Sequence, residues 1–373
     1  MIMANNNENK ILNVPHLRFP EFSGEWKKCK LGDLCNVLMC KRILVSQTNT
    51  EDGVPFYKIG TIGSTPDAYI SKELFDDYKV KYNYPRKGEV MITCAGTVGK
   101  CVVYDGEDAY FQDSNIVWID NPTQYISNGF LFHLLSKVDW RKLNSTTIIR
   151  IYNDDLRNLK MSYPRKEEQQ KISHLLSLLD ERIATQNKII YKLKSLIRGI
   201  AQNMVHRGKP NVRLSDCMIC NSSTLQESEV LESGTYPVYG ANGIVGYLDC
   251  YATLNEAIYI IKDGSGVGTV FYVAGKCSAA GTLNTLQAKE GYSLQYLYYL
   301  LTVFNFEPYK TGMAIPHIYF KDYGKAKVFC PSHSEQFKYT KLLSTIDSKL
   351  LAEQNALVNY NLQKQYLLRQ MFI

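Results

Sequence analysis

The sequence predicts an α+β chain with two β-rich domains separated by two long α-helices that pair as an antiparallel coiled coil, giving an internal pseudo-two-fold. Three observations lead to this prediction. Two long stretches carry apolar residues with a 3.5-residue period. The second stretch follows the first at a constant offset of 167 residues, and a strand-like segment punctuated by glycines precedes each of them.

The first helical stretch opens at Pro164 and ends at Val205, and the second opens at Pro331 and ends at Phe372. Apolar spacings of four and three residues, sustained over about 40 residues, predict a coiled-coil helix of about 60 Å. The predicted core of the helix pair consists of Ile172, Leu176, Leu179, Ile183, Gln186, Ile190, Leu193 and Ile197 in the first helix, and Leu343, Ile346, Leu350, Glu353, Leu357 and Tyr360 in the second.

One polar position interrupts the apolar series of the first helix, namely Gln186, and its equivalent in the second helix is Glu353. A polar layer near mid-helix commonly fixes the register and orientation of a coiled coil. If the helices pair antiparallel, Gln186 faces the layer that contains Glu353 and Leu357. The competing explanation is two unrelated helices that pack on local cores.

In chain order, residues 1–25 form an arm whose prolines favour extended chain laid against the fold. Residues 26–163 are the first β-rich domain, with strands predicted at 56–62, 89–94, 99–104 and 115–119 and a helix at 128–143. The first spacer helix occupies 164–209 and must stop at Gly208 and Pro210. The second β-rich domain, 210–330, and the second spacer helix, 331–373, complete the chain.

The second domain repeats the local sequence pattern of the first. Residues 30–33, 55–63 and 95–100 are echoed by residues 213–216, 237–243 and 264–269. The domains differ widely elsewhere, whereas the helices are alike, which favours two recognition modules with different targets on a common scaffold. Duplex DNA suits such a protein, because pseudo-two-fold proteins bind half-sites about one helical turn apart.

Composition sets broad limits. The chain has 373 residues, 45% of them apolar, which predicts two or three domains with proper cores. A formal charge of +7 permits a polyanionic partner. Ten cysteines without a secretory leader predict reduced thiols in a cytoplasmic protein. The sequence contains no run of about 18 apolar residues, so no membrane span is predicted.

Several strings that resemble enzyme motifs are better explained otherwise. Residues 96–100 (Gly-Thr-Val-Gly-Lys) lack the following Ser or Thr of a phosphate-binding loop, since Cys101 stands there. Residues 264–268 lead into a strand-like segment, where a dinucleotide fold needs a helix. Both strings favour Gly-rich hairpin turns. Cys217 and Cys220 lack a second pair of zinc ligands. No catalytic centre, metal site or cofactor is predicted for this chain.

The loops that follow the predicted strands carry small donors and cations in both domains. Ser, Thr and backbone N–H groups can approach phosphates, while Asn and Lys can reach base edges in the major groove. The predicted DNA-binding residues are Tyr57, Lys58, Thr61, Ser64, Thr97 and Lys100 in the first domain, and Tyr239, Asn242, Lys262, Ser265 and Thr269 in the second. For any single residue, a solvated surface is the competing explanation.

Over essentially its whole length, the chain resembles the specificity subunits of Type I restriction-modification systems. The opening 14–22 (Val-Pro-His-Leu-Arg-Phe-Pro-Glu-Phe), the stretch 236–247 and the Glu-Gln starts of the helices at Gln169 and Gln336 carry the resemblance. It implies that the β-rich domains are target recognition domains, each reading one half of a bipartite, asymmetric site in double-stranded DNA. It also implies spacer helices that dock two methyltransferase subunits, to which restriction subunits are added, in the prokaryotic cytoplasm. S-adenosylmethionine, ATP and Mg would belong to those partners.

The exposed face of the first helix would then meet the methyltransferase subunits through Lys188, Lys192, Lys194 and Arg198, although a solvated face explains these cations equally well. Three alternatives stay open. The chain could be a coiled-coil interaction adaptor without DNA specificity, a methyltransferase fused to its recognition domains, or a relative that works as a homodimer. A steep loss of affinity with salt would separate DNA binding from the adaptor.

Overall fold

The computed structural model describes residues 12–142 and 150–373. Two compact units divide the chain: the first contains the residues up to Thr185 together with Leu357–Ile373, and the second contains Gln186–Ala356. Each unit therefore includes part of each long helix. Within the described ranges, no helix combines the length and the apolar character needed to cross a lipid bilayer.

The first unit is built from short strands and helices, and the first long helix runs from it into the second unit. In chain order these elements are β1 (Lys27–Lys30), β2 (Asn36–Leu38), β3 (Val54–Tyr57), β4 (Tyr69–Ile70), α1 (Lys72–Lys81), β5 (Val90–Thr93), β6 (Cys101–Val103), β7 (Tyr110–Phe111), β8 (Ile116–Asp120), α2 (Asn128–Lys137), α3 (Asn153–Arg157), β9 (Lys160–Tyr163) and the long helix α4 (Lys166–His206).

The second unit repeats this order and contains most of the second long helix. Its elements are β10 (Val212–Arg213), α5 (Leu214–Cys217), β11 (Met218–Ser222), β12 (Tyr236–Gly240), β13 (Gly243–Leu248), β14 (Glu256–Ile261), β15 (Val270–Ala274), β16 (Ser278–Ala279), β17 (Leu283–Ala288), α6 (Leu294–Val303), α7 (Phe320–Tyr323), β18 (Lys327–Val328) and α8 (His333–Gln370).

Both units have the same sheet topology. The four-stranded sheets have the orders β2-β8-β5-β6 and β11-β17-β14-β15, and the three-stranded sheets have the orders β4-β3-β7 and β13-β12-β16. The ribbons β1-β9 and β10-β18 close each unit. The predicted α+β fold with two repeated β-rich domains is therefore confirmed. Helix α1 distinguishes the units, because the equivalent connection from β13 to β14 has no helix.

The central strands of each four-stranded sheet are buried on both faces. In β5, Val90 and Ile92 face the core formed with α2, while Met91 faces a separate core shared with the three-stranded sheet. In β14, Ile258 and Tyr259 divide between two cores in the same way. Alternate residues of a strand point to opposite faces, so a strand covered on both sides must be apolar throughout.

Two predicted elements end several residues earlier in the structure than predicted. The strand predicted at 56–62 ends at Tyr57, because the Thr61 hydroxyl accepts a hydrogen bond from the backbone N–H of Lys58 at 3.0 Å and closes a turn. The helix predicted at 128–143 ends at Lys137. Beyond it, the Trp140 ring lies against the backbone of Gly99, and residue 143 lies outside the described residues.

The long helices run antiparallel within each unit. In the first unit, Asp180 pairs with Lys364, and the guanidinium of Arg182 lies 6.0 Å from the ring of Tyr360. In the second unit, Gln186 contacts Glu353 and Arg207 donates to the Tyr339 hydroxyl at 2.6 Å. Every predicted core residue is buried or half-buried. Ile172 and Leu176 also join the core of the first unit, and Leu343 joins that of the second.

A glutamine near the start of each long helix holds the β-rich part of its unit. The buried Gln169 side chain accepts from the backbone N–H of Ser127 at 2.7 Å and donates to the carbonyls of Tyr125 and Pro164. Gln336 repeats this arrangement with Ser293 and Pro331. Because Ser127 and Ser293 also cap α2 and α6, each glutamine fixes a helix start to a long helix.

The described part of the N-terminal arm packs on the ends of both long helices in the first unit. Arg18 makes two hydrogen bonds of 2.7 Å to the buried carboxylate of Glu168. The backbone N–H of Leu17 donates to the Gln370 carbonyl at 2.9 Å. Asn13 donates to the carbonyl of Trp26 at 2.7 Å, so the arm belongs to the folded unit.

Candidate nucleic-acid interface

The loops of the first unit converge at one end. Strands β2 and β5 both pair antiparallel with β8, so their carboxyl ends point the same way. The loop 112–115 joins β7 to β8, and the backbone N–H of Gln112 donates to the carbonyl of Tyr57 at the end of β3 at 2.9 Å. We call residues 39–48, 58–64, 94–100 and 112–115 the first loop end.

All six DNA-binding residues predicted for the first domain lie in or next to this loop end, but several use their polar atoms locally. The Ser64 hydroxyl donates to the Thr61 carbonyl at 2.9 Å. The Lys100 ammonium donates to the Ile62 carbonyl at 2.5 Å, which joins two loops. Lys58 lies 2.9 Å from Asp67, and both side chains are exposed. Lys58 can therefore exchange its partner for a phosphate at little cost, whereas Lys100 braces the loops.

A cation that the sequence analysis missed belongs to the same loop end. Arg42 follows β2, pairs with Asp113 and is 68% exposed. With Lys58, Gln112 and Asn115 it lines a cavity of about 270 Å³. The adjacent cations Lys41 and Arg42, shortly after the strand-like segment 36–38, were the available signal. Cations and carboxamides around a shallow cavity offer phosphate contacts and base-edge contacts together.

The β5–β6 connection is a hairpin turn, as its glycines predict. Gly99 has a φ of +82°, and a Cβ at this position would lie 2.2 Å from Cδ1 of Trp140. Only glycine meets both conditions. The exposed Thr97 lies on this turn. The equivalent β14–β15 connection is also a hairpin turn, so neither string forms a phosphate-binding loop or a dinucleotide site.

The second unit has an equivalent loop end. The backbone N–H of Lys262 donates a hydrogen bond to the carbonyl of Thr282 at 3.0 Å, which positions Lys262 beside residues 280–282. The Tyr239 carbonyl accepts from Ala280 at 2.8 Å, and the Leu225 carbonyl accepts from Gly281 at 2.7 Å. We call residues 223–225, 241–242, 262–269, 280–282 and 311–317 the second loop end.

The predicted residues of the second domain lie in or next to this loop end. Asn242 is exposed in the turn between β12 and β13, and Ser265 and Thr269 are exposed around the β14–β15 turn. The Lys262 side chain is half-buried, with its ammonium 3.5 Å from the Ser223 carbonyl. The structure therefore brings Tyr239, Asn242, Lys262, Ser265 and Thr269 to one end of their unit.

Two tyrosines occupy equivalent positions at the two loop ends. Tyr57 pairs with Phe111 in the parallel bridge from β3 to β7, and Tyr239 pairs with Ala279 in the parallel bridge from β12 to β16. Burial raises the pKa of both phenols above the ordinary value. Both hydroxyls therefore stay protonated at neutral pH and can donate hydrogen bonds.

The hairpin 311–317 is the largest feature of the second loop end that the sequence analysis missed. It contacts the β14–β15 turn, where Nδ1 of His317 lies 2.6 Å from Oδ1 of Asp263. Gly312 and Pro316, which bracket an apolar tip, were the available signal. Among residues 12–142 and 150–373, no group of His, Cys, Asp and Glu side chains is arranged to hold a metal ion.

Comparison with known proteins identifies the fold. The model of the Type I restriction modification DNA specificity domain matches residues 23–195 and again residues 210–360. A solved Type-I restriction-modification S subunit from M. genitalium superposes with a TM-score of 0.66 and 18% identity, over 96% of this chain and 99% of that one. A chain from a solved type I R-M system superposes with a TM-score of 0.53 and 16% identity, over 92% and 96% of the two chains.

Sequence relatives cover less of their own length. A Haemophilus influenzae type I restriction enzyme specificity subunit is 46% identical over 180 residues, which are 48% of this chain and 44% of the relative. A Methanocaldococcus jannaschii type I restriction enzyme specificity subunit is 23% identical over 210 residues, which are 52% of this chain and 49% of the relative. The chain thus spans about half the length of the curated relatives it matches. Because the domain model matches twice and covers most of the sequence, the chain belongs to the family of the Type I restriction modification DNA specificity domain, of which it carries two copies.

Proposed function

We propose that this chain is a non-catalytic specificity subunit that recognises a bipartite, asymmetric site in double-stranded DNA. The domain of residues 26–163 reads one half of the site and the domain of residues 210–330 reads the other. The helix pair docks two methyltransferase subunits, and restriction subunits join them, in the cytoplasm. S-adenosylmethionine, ATP and Mg serve the partner subunits.

The observation that carries this proposal is one topology with two different loop ends. The sheet orders of the two units are identical, yet the loop after β2 carries Lys41 and Arg42, while the loop after β11 carries Glu227 and Glu229. The units also differ in α1, which has no counterpart between β13 and β14. Equal scaffolds with unlike loops are suited to reading two different sequences, which an asymmetric site requires.

The helix pair supports the docking of partners. Lys188, Lys192, Lys194 and Arg198 are exposed on α4, outside the apolar seam that joins the two helices. Exposed apolar residues accompany them, among them Ile189 and Leu196. Charged residues are depleted at the core of protein interfaces, but Arg is enriched there and Lys is not. Arg198 and the exposed apolar residues therefore support docking, and the three lysines suit the polar rim of an interface.

The test is co-expression with methyltransferase subunits of the same system, followed by long-read mapping of methylated adenines. We expect a split, asymmetric motif. Exchange of residues 26–163 for the corresponding domain of a relative should change one half of the motif and leave the other half unchanged.

Three outcomes would contradict the proposal in different ways. A stable complex without methylation or salt-sensitive DNA binding would favour the interaction adaptor. Methylation by this chain alone would reveal a catalytic centre. A domain exchange that alters both halves would show that the two domains do not read independently.

A further inference from the structure

The hairpin 311–317 exposes an apolar tip. Thr311 and His317 exchange two backbone hydrogen bonds, of 2.9 and 2.7 Å, which close its base. At the tip, Met313 is fully exposed and Ile315 is 57% exposed. Gly312 has a φ of +89°, and a Cβ there would lie 2.3 Å from the Ile315 carbonyl oxygen. The sequence therefore maintains a tight turn that holds two large apolar side chains in water.

The base of the hairpin is fixed to the rest of the second loop end. The backbone N–H of Gly264 donates to the Pro316 carbonyl and that of Ile318 donates to the Lys262 carbonyl, both at 3.0 Å. The contact between His317 and Asp263 adds a side-chain brace. A tip held this firmly loses little conformational entropy when it meets a partner.

Three lysines lie close to the hairpin, two of them near it in the sequence and one beside its base. Lys310 directly precedes the hairpin and pairs with Glu307 at 2.6 Å. Lys321 follows it, with its ammonium 5.2 Å from the centre of the Tyr319 ring. Lys262 lies beside its base. An apolar tip among basic residues fits a polyanion whose interior is apolar, and the stacked bases of duplex DNA have that character.

The size of the tip argues against a protein partner. A stable protein interface buries about 800 Å² on each partner, which two exposed side chains on a narrow turn cannot supply. A wedge between two base pairs needs only one or two apolar side chains, and Met and Ile are among the residues that proteins insert in this way.

Resting on the proposed function, we propose that Met313 and Ile315 form a wedge that enters the base stack of the half-site read by residues 210–330. The wedge unstacks one base step and bends the duplex there. The flanking lysines neutralise the phosphates that the bend brings closer. Flexible pyrimidine–purine steps deform most easily, so the wedge contributes specificity at a step that no polar side chain contacts.

The experiment uses the complex of the full chain with its methyltransferase subunits, and duplexes that carry the mapped methylation motif. Each duplex has 2-aminopurine at one position, because this base fluoresces when it is unstacked. At positions other than the methylated adenines, which methyltransferases flip out of the duplex, we expect the wild-type complex to raise the fluorescence at one step of the half-site read by residues 210–330. Met313→Ser/Ile315→Ser should abolish that rise and weaken site-specific binding by roughly tenfold or more. Met313→Leu should retain both.

Leu254→Ser is the matched control, because Leu254 is 54% exposed and lies at the opposite end of β14 from the hairpin. It should change neither signal. The wedge is overturned if the double variant keeps the fluorescence rise, or if it loses methyltransferase subunits while binding DNA normally, which would identify a protein contact. A wild-type complex that binds no duplex would overturn the proposed function, and the wedge with it.

Discussion

The buried side chain of Gln186 donates a hydrogen bond to the backbone carbonyl of Glu353 at 3.0 Å and also contacts the Glu353 carboxylate. Lys349 binds the same carboxylate from one turn away and, with Gln186, lowers the pKa of Glu353. An amide inside an apolar seam is satisfied only when the helices align so that it reaches these oxygens. This layer therefore selects one register.

The polar layer should favour a single helix alignment at the expense of stability. Gln186→Leu alone leaves the Glu353 carboxylate against an apolar side chain and should lower the free energy of unfolding by about 1–2 kcal/mol. Gln186→Leu/Glu353→Leu should recover this loss and lead to mixed oligomers, because apolar seams pair in several registers. Urea denaturation and light scattering measure both effects. Gln202→Leu, on the exposed face of α4, is the control. Equal stability of the single and double variants would contradict the prediction.

The glutamine at the start of α4 should stabilise the first unit more than its neighbour does. Gln169→Leu leaves the N–H of Ser127 and the carbonyls of Tyr125 and Pro164 without their partner, which should cost about 2–4 kcal/mol. Amide hydrogen exchange at Ser127 should accelerate. Gln170→Leu changes an exposed side chain and should leave both quantities unaltered. If the two variants behave alike, the hydrogen bonds of Gln169 contribute no net stability.

Acid should destabilise the first unit through His133. Burial lowers the pKa of this α2 side chain from 6.5 to about 4. Between these values the unfolded chain binds a proton that the folded chain does not, so stability is lost as the pH falls from about 6.5 towards 4, by at most about 1.4 kcal/mol per pH unit. In His133→Phe this component should disappear. Urea midpoints at pH 7 and pH 5 test it, with His174→Phe as an exposed control. A variant that keeps the wild-type pH dependence would contradict it.

The two lysines of the first loop end should affect DNA binding differently. The exposed Lys58 can contact a phosphate, so Lys58→Gln should reduce the slope of log affinity against log salt by about 0.9. Lys100 is tied to the Ile62 carbonyl, so Lys100→Met should weaken binding through loop disorder while the salt slope stays constant. Titrations of the methyltransferase complex with its mapped duplex at several salt concentrations measure both. A lower slope for Lys100→Met would make it a phosphate contact.

Equivalent positions of the two units show why the details could not be predicted. His133 on α2 lies near Asp180, which pairs with Lys364. At the matching place in the second unit, Tyr299 donates to Asp347 at 2.5 Å. The 167-residue offset links the two aspartates in the sequence, but their partners come from distant segments. The same holds for the hairpin 311–317, whose site role depends on its contact with Gly264.

The sequence by itself determined the two long helices, their polar layer, the duplication and the β-rich character of both domains. These features arise from local periodicity, because a residue's place on a helix or strand fixes the face it presents. The tertiary structure alone decided which loops meet. It also decided that Lys100 joins two loops while Lys58 remains exposed, and that the hairpin 311–317 presents apolar residues at the second loop end. Those outcomes depend on turns that folding brings together. Lys100 and Ile62, for example, are 38 residues apart in the chain, and no local pattern records a contact across such a distance.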